Sequence, residues 1–242
     1  MKQVLPFLIL LCLSNSCRKK PLLPESRITP NDLLSDRKYE KLMIEIVHEK
    51  GYTLSAQTIS NLQNFLSARL NKKGGISFTE TEIAWQGRSV VSLTDIRNTE
   101  KKFRSAYSAG KTLSVFVFVS GSAFNESSGD AQVLGIAYGS TSIALFEKTI
   151  GEHSGGLAQP PRTILESTVS EHEFGHLMGL VDNGTKMVDY HKDAANGNHC
   201  NKKECLMYYA AETSDIVGNL LGGEVPALDN SCIRDLQFNG GK

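Results

Sequence analysis

Apolar and polar positions change period several times along the chain, and each change marks an element. Residues 41–52, KLMIEIVHEKGY, are dense in Ile, Val and Leu and predict a strand. In SAQTISNLQNFLSARL, the residues Ile59, Leu62, Phe65, Leu66 and Leu70 recur at helical spacing. GISFTETEIAW then alternates apolar and polar, as a half-buried strand does. TDIRNTEKKFRSAYS reads as a charged, exposed helix opening at a Thr94 or Asp95 cap. TLSVFVFVS is a buried strand, and VLGIAYGSTSIALFEKT supplies one or two more. The order strand, helix, strand, helix, strands predicts an α/β fold with helices packed on a sheet.

One further helix begins near PPRTILE. Pro161 suits a first-turn position, and Thr163 with Glu166 matches a capping box. Leu165, Val169, His172, His176 and Leu180 form one stripe, and Gly179 offers a left-handed stop. Residues four apart on a helix differ by roughly 40° in direction. His172 and His176 can therefore hold one cation, with Glu173 beside it. This is the HExxH pattern of zinc hydrolases. A catalytic zinc takes three protein ligands and keeps one position open. Glu173 would take a proton from the attacking water and pass it to the leaving amine.

The chain continues HEFGHLMGLVD, with Gly179 and Asp182 beyond the second histidine, and ECLMYY lies further on. In this it resembles the metzincin clan of zinc peptidases, whose HExxHxxGxxH/D motif is followed by a methionine turn. The resemblance implies a mixed twisted sheet with packed helices and an active-site helix. An irregular C-terminal subdomain with the turn and a short terminal helix would follow. It makes Met207 the floor beneath the histidines and Tyr209 a residue able to stabilise an oxyanion. Within the clan, HCNKKECLM, residues 199–207, is similar to the later part of the archaemetzincin motif. Residues 183–198, NGTKMVDYHKDAANGN, then stand as an insertion. The third ligand is His199 by local context, Asp182 by spacing, or His191 from within the insertion; imidazole suits zinc and favours His199. Archaemetzincins bind a second zinc through a downstream cysteine pair, of which only Cys232 remains. One catalytic zinc ion is therefore expected, and no second. The resemblance also implies an extended peptide laid along an edge strand, for which VLGIAYGSTSIALF is the candidate. Gly135 and Gly139 there would permit close approach.

Composition sets the context. Of 242 residues, 40% are hydrophobic and 21% charged, so the chain is globular in character. Lys plus Arg equals Asp plus Glu at 26 each, which leaves no basic field for nucleic acid. MKQVLPFLILLCLSNSC has a basic residue, a short apolar run and a terminal cysteine, and resembles a bacterial lipoprotein signal. The expected organisation is a signal peptide over 1–16, a tether over 17–40 lipidated at Cys17, an α/β subdomain over 41–180 and a C-terminal subdomain over 181–242. The protein would be exported, monomeric, and held at the cell envelope through lipid alone. Cys200, Cys205 and Cys232 remain, an odd number that predicts one disulfide and one free thiol. No cysteine lies between Cys17 and Cys200, so no cysteine-switch latency is expected. The alternatives to a zinc endopeptidase are a non-catalytic zinc-binding lipoprotein and a zinc hydrolase of non-peptide amides.

Overall fold

The computed structural model describes residues 28–126 and 131–242. The signal segment, Cys17 and the first part of the tether lie outside the described residues. From residue 28 onward the tether reading gives way to folded chain. Helix α1, Pro30–Leu34, is closed by a Thr29–Asp32 capping box, and Leu33 and Leu34 are buried in the main core. Lys72 donates to the carbonyls of Asp32, Ser35 and Tyr39, which locks the segment down. Two adjacent leucines carried past a polar cap are what the composition-based reading missed.

Strand β1 is Lys41–Glu49, helix α2 Ala56–Arg69 and strand β2 Ile76–Ile83. A two-residue strand β3, Val90–Val91, leads into helix α3, Leu93–Phe103. Its cap is Ser92, one turn of sequence earlier than expected, because the Ser92 hydroxyl and the Asp95 carboxylate form a reciprocal capping box. Strands β4, Thr112–Ser120, β5, Ala123–Phe124, β6, Gly135–Tyr138, and β7, Ser142–Phe146, follow. The main sheet has the order β2-β1-β4-β7-β6. Its first four members are parallel, and β6 folds back antiparallel on β7 through a turn with Gly139 at φ +70°. VLGIAYGSTSIALF is thus a hairpin whose first strand is the sheet edge.

The central strand β4 divides the core by parity. Leu113, Val115, Val117 and Val119 face the larger cluster, while Phe116 and Phe118 face a smaller one. The larger cluster joins the sheet to α2, to α1 and to the C-terminal region as far as Leu236. Helix α4, Glu147–Glu152, and helix α5, Arg162–Leu177, come next, and α6, Asn230–Phe238, closes the chain. Helix α5 packs on α2, β6 and β7. Every residue of α5 from Leu165 to Leu177 is buried, so the helix runs through the core instead of over it.

The N-terminus of α5 differs from expectation. Pro161 is the cap residue and makes no side-chain cap bond. Glu166 turns away from Thr163. It accepts from Thr58 Oγ1 at 2.5 Å, Ser55 N at 3.1 Å and Arg162 Nε at 2.9 Å. A buried carboxylate gains more from two cross-helix donors and a guanidinium than from a local cap. At the other end the expected stop is present. Gly179 takes φ +81°, its N–H reaches His176 O, and Leu180 N reaches Gly175 O. That pair of bonds is a Schellman closure.

Candidate active site

Helix α5 delivers His172 and His176 from successive turns, and their Nε2 atoms lie 3.0 Å apart. His199 arrives from the loop that follows. Its ring centroid is 5.3 Å from that of His172 and 5.0 Å from that of His176. The loop is held by a small antiparallel contact in which Asp193 N bonds His199 O and Asn201 N bonds His191 O. Two rings are fixed by their far nitrogens. His172 Nδ1 donates to Leu206 O at 2.8 Å, and His199 Nδ1 donates to Asn196 O at 2.6 Å. With the proton on Nδ1, each presents a bare lone pair on Nε2. Converging lone pairs repel unless a cation lies between them. His199 Nε2 is buried with no partner closer than the Glu212 carboxylate at 3.5 Å, which fits that arrangement.

Met207 is fully buried and packs against helix α5 at Gly175. A Cβ on Gly175 would fall 2.2 Å from Met207 Sδ, so the glycine inside HEFGH is what lets the turn seat there. Helix α5 approaches β6 as closely. A Cβ on Gly135 would meet Val169 Cγ1 at 2.6 Å and Glu173 Oε1 at 3.0 Å. Glu173 is wholly buried, and its carboxylate faces the backbone N–H of Ala137 without a side-chain hydrogen bond. Burial, followed by the charge of Glu212, pushes its carboxyl well above the usual range. Burial lowers His172 to about 4 and carries His176 well below the ordinary imidazole value. Burial also works to lower His199, but its bond to Glu212 and that residue's charge outweigh it and the net shift is upward.

Glu212 is a site residue that no motif announced. It comes from a 3-10 turn, Tyr209–Glu212, that follows the methionine segment. Its Oε2 lies 3.9 Å from His172 Nε2, 3.8 Å from His176 Nε2 and 3.5 Å from His199 Nε2. An open cleft of about 600 Å³ above the group is lined by Ile136, Ala137, His176, Asn183, Asn198, His199 and Glu212. Tyr209 is not part of that lining; its ring packs on Tyr208 with centroids 4.6 Å apart. Asp182 stands outside the group as well. It is exposed, has φ +63° and pairs with Lys192 at 3.3 Å. The Schellman closure at Gly179 turns the chain so that the aspartate side chain faces solvent.

His191 belongs to a second cluster. Its Nδ1 lies 3.4 Å from Cys200 Sγ and 3.9 Å from Cys232 Sγ, and its Nε2 lies 2.8 Å from Asp235 Oδ2. Cys205 Sγ is 3.7 Å from Cys232 Sγ. All three cysteines are free and buried, so the expected disulfide is not formed. The thiols lie close to one another and to His191 without a covalent bridge. Asp229 is also close, but its carboxylate already caps α6 through Cys232 N at 2.8 Å. Hydrogen bonds from Cys205, Cys232 and His191 hold the Cys200 thiol far below its usual range, while Cys205, beside Cys200, is pushed up to about 12. His191 is raised to about 9, first by its bond to Cys200. The neighbours His199 and Cys200 thus serve different clusters, as successive residues of extended chain must.

No family model matches the chain, and no curated protein does. Solved structures do. The archaemetzincin of Methanopyrus kandleri superposes with a TM-score of 0.55 at 12% identity, over 83% of this chain and 96% of that one. The fold is that of an archaemetzincin. A zinc-dependent peptidase from Methanocorpusculum labreanum gives a TM-score of 0.49 at 15% identity, over 80% of this chain and 99% of that one. The archaemetzincin-like fold confirms the mixed sheet and packed helices read from the residue pattern.

Proposed function

We propose that the protein is a zinc-dependent endopeptidase whose ion is held by His172, His176 and His199. The observation that carries this reading is the meeting of two bare imidazole lone pairs, a third imidazole and a fully buried carboxylate in one place. Zinc there would supply Lewis acidity and a water that ionises near neutral pH. Glu173 accepts the proton of the attacking water and returns it to the departing amine. The substrate is an extended peptide added alongside β6, the last strand of the described sheet, where Ile136 and Ala137 border the cleft. Main-chain bonding to that edge favours peptides over other amides.

The thiol cluster is the second metal position in this reading: His191 Nδ1, Cys200, Cys232 and Asp229 lie within 4.8 Å of one another, and Cys205, 3.7 Å from Cys232, would take the place of the Asp229 carboxylate that caps α6. Three thiolates and one imidazole make a closed, buried set, suited to a structural zinc ion. Asp235 on the far nitrogen of His191 fixes that ring as metal-bound histidines require. The lipid anchor at Cys17 and an exported location complete the proposal on the strength of the N-terminal sequence.

The test is hydrolysis of casein and of a peptide library by zinc-loaded protein, with and without chelator, beside Glu173→Ala. Chelator-sensitive cleavage lost in the variant supports the reading. A variant that binds zinc normally and cuts as fast as the parent refutes it. Zinc retention without cleavage would favour the binding lipoprotein.

A further inference from the structure

We propose that Glu212 is a fourth protein ligand that caps the three-histidine centre in the resting state, so that substrate must displace it. The inference rests on the zinc reading above. Four donors around one zinc ion at bonds of about 2.0–2.1 Å stand about 3.3 Å from one another. Glu212 Oε2 is 3.5–3.9 Å from all three Nε2 atoms at once. An oxygen placed only to receive one imidazole proton would approach one ring and leave the others. This one occupies the remaining corner, the corner that a catalytic centre keeps for water.

The backbone around Glu212 explains why it stays there. Leu134 N bonds Glu212 O at 2.8 Å, Ser214 N bonds Gln132 O at 2.8 Å, and Gln132 N bonds Ser214 Oγ at 3.0 Å. Val133 and Thr213 form an isolated antiparallel bridge. The segment carrying the carboxylate is therefore stitched to the chain just before the edge strand β6. A peptide added along β6 runs towards that seam and meets Glu212 at the cleft floor. The carboxylate is only partly buried, so its side chain has room to swing into the cleft while its backbone bonds persist. The chain thus carries a latency device without a propeptide cysteine. The carboxylate closes the fourth position in the absence of substrate, and a bound peptide carbonyl or water takes its place.

The experiment uses the full chain loaded with zinc, with Glu212→Gln and Glu212→Ala, and His199→Ala as a control. Zinc affinity is measured by chelator competition, and the open coordination position by calorimetric titration with acetohydroxamate. Circular dichroism melts establish that each variant is folded, and Glu212→Gln preserves the backbone seam. Loss of the carboxylate should weaken zinc by about tenfold or more, the scale on which even indirect partners of a metal act. Acetohydroxamate should bind both variants more tightly than the parent, because nothing has to be displaced. Zinc affinity equal to the parent, or acetohydroxamate that binds no more tightly, overturns the cap. His199→Ala separates the two ideas. If it leaves zinc affinity at the parent value, the three-histidine reading fails and the cap with it. If it removes one of the two zinc ions per chain, that of the three-histidine centre, while Glu212→Gln changes nothing, only the cap fails.

Discussion

Gly175→Ala sets two physical effects against each other. Gly175 lies inside α5, where replacing glycine by alanine ordinarily stabilises a helix by about 0.5–1 kcal/mol. Here the added methyl would stand 2.2 Å from Met207 Sδ, 3.1 Å from Met207 Cε and 3.6 Å from Leu180 Cδ1. Met207 has little room to retreat. Its side chain is fully buried, its carbonyl receives Cys200 N at 2.7 Å, and the preceding carbonyl of Leu206 holds His172. Overpacking of this kind costs about 1–3 kcal/mol. The clash wins, and a net loss of about 1–2 kcal/mol is expected, or about 3–6 °C in Tm at this chain length. Because the shifted turn also carries the acceptor for His172 Nδ1, zinc should bind about 10–100-fold more weakly. The assay is thermal melting of zinc-loaded protein with chelator competition. Gly151→Ala in α4 is the control, since no atom lies within 4 Å of its added Cβ. Combining Gly175→Ala with Met207→Ala should cost less than the two separately, because the second change removes the obstacle. A Gly175→Ala protein as stable as the parent, with unchanged zinc affinity, would refute the close seating of the turn.

Other expectations follow from the same geometry. Glu173→Ala should lower peptide hydrolysis by about 10²–10⁴-fold while zinc remains bound, as read by turnover and metal content. Asp182→Asn should leave zinc affinity unchanged and move stability by less than about 0.5 kcal/mol, since it removes only an exposed pair with Lys192; a loss of zinc would restore it as a ligand. Cys232→Ser should lower both the metal content and the Tm of the folded protein, and retention of two ions per chain would count against the thiol cluster. Glu147 is raised to about 8 by burial and then by the charge of Glu166, with Arg162 opposing. The folded state keeps a proton there that the unfolded chain has released, so stability should fall as pH climbs from about 4.5 to about 8. The loss is of order 5 kcal/mol. Glu147→Gln should flatten that slope in denaturant melts, and an undiminished slope would assign it to other groups.

The sequence alone determined what repeats locally. Helical spacing drew α2 and α5, alternation drew β2, and the unbroken apolar run of β4 announced a strand covered on both faces. Because residues four apart on a helix share a direction, HEFGH placed His172 and His176 together before any fold was known. Gly179 declared its own conformation, since few other residues accept φ +81° without strain. Only the tertiary structure showed which of His199, Asp182 and His191 lies beside His172 and His176. That choice depends on how residues 183–198 close back on themselves, and one backbone bridge sends His199 to one cluster and Cys200 to the other. Glu212 and the four-donor set around His191 were invisible for the same reason. Their partners lie far away in sequence, and no local period records a contact made by loops that meet only after the sheet and α5 have packed. Local patterns encode direction along one element, whereas a metal corner is the intersection of several, and that intersection exists only in the folded chain.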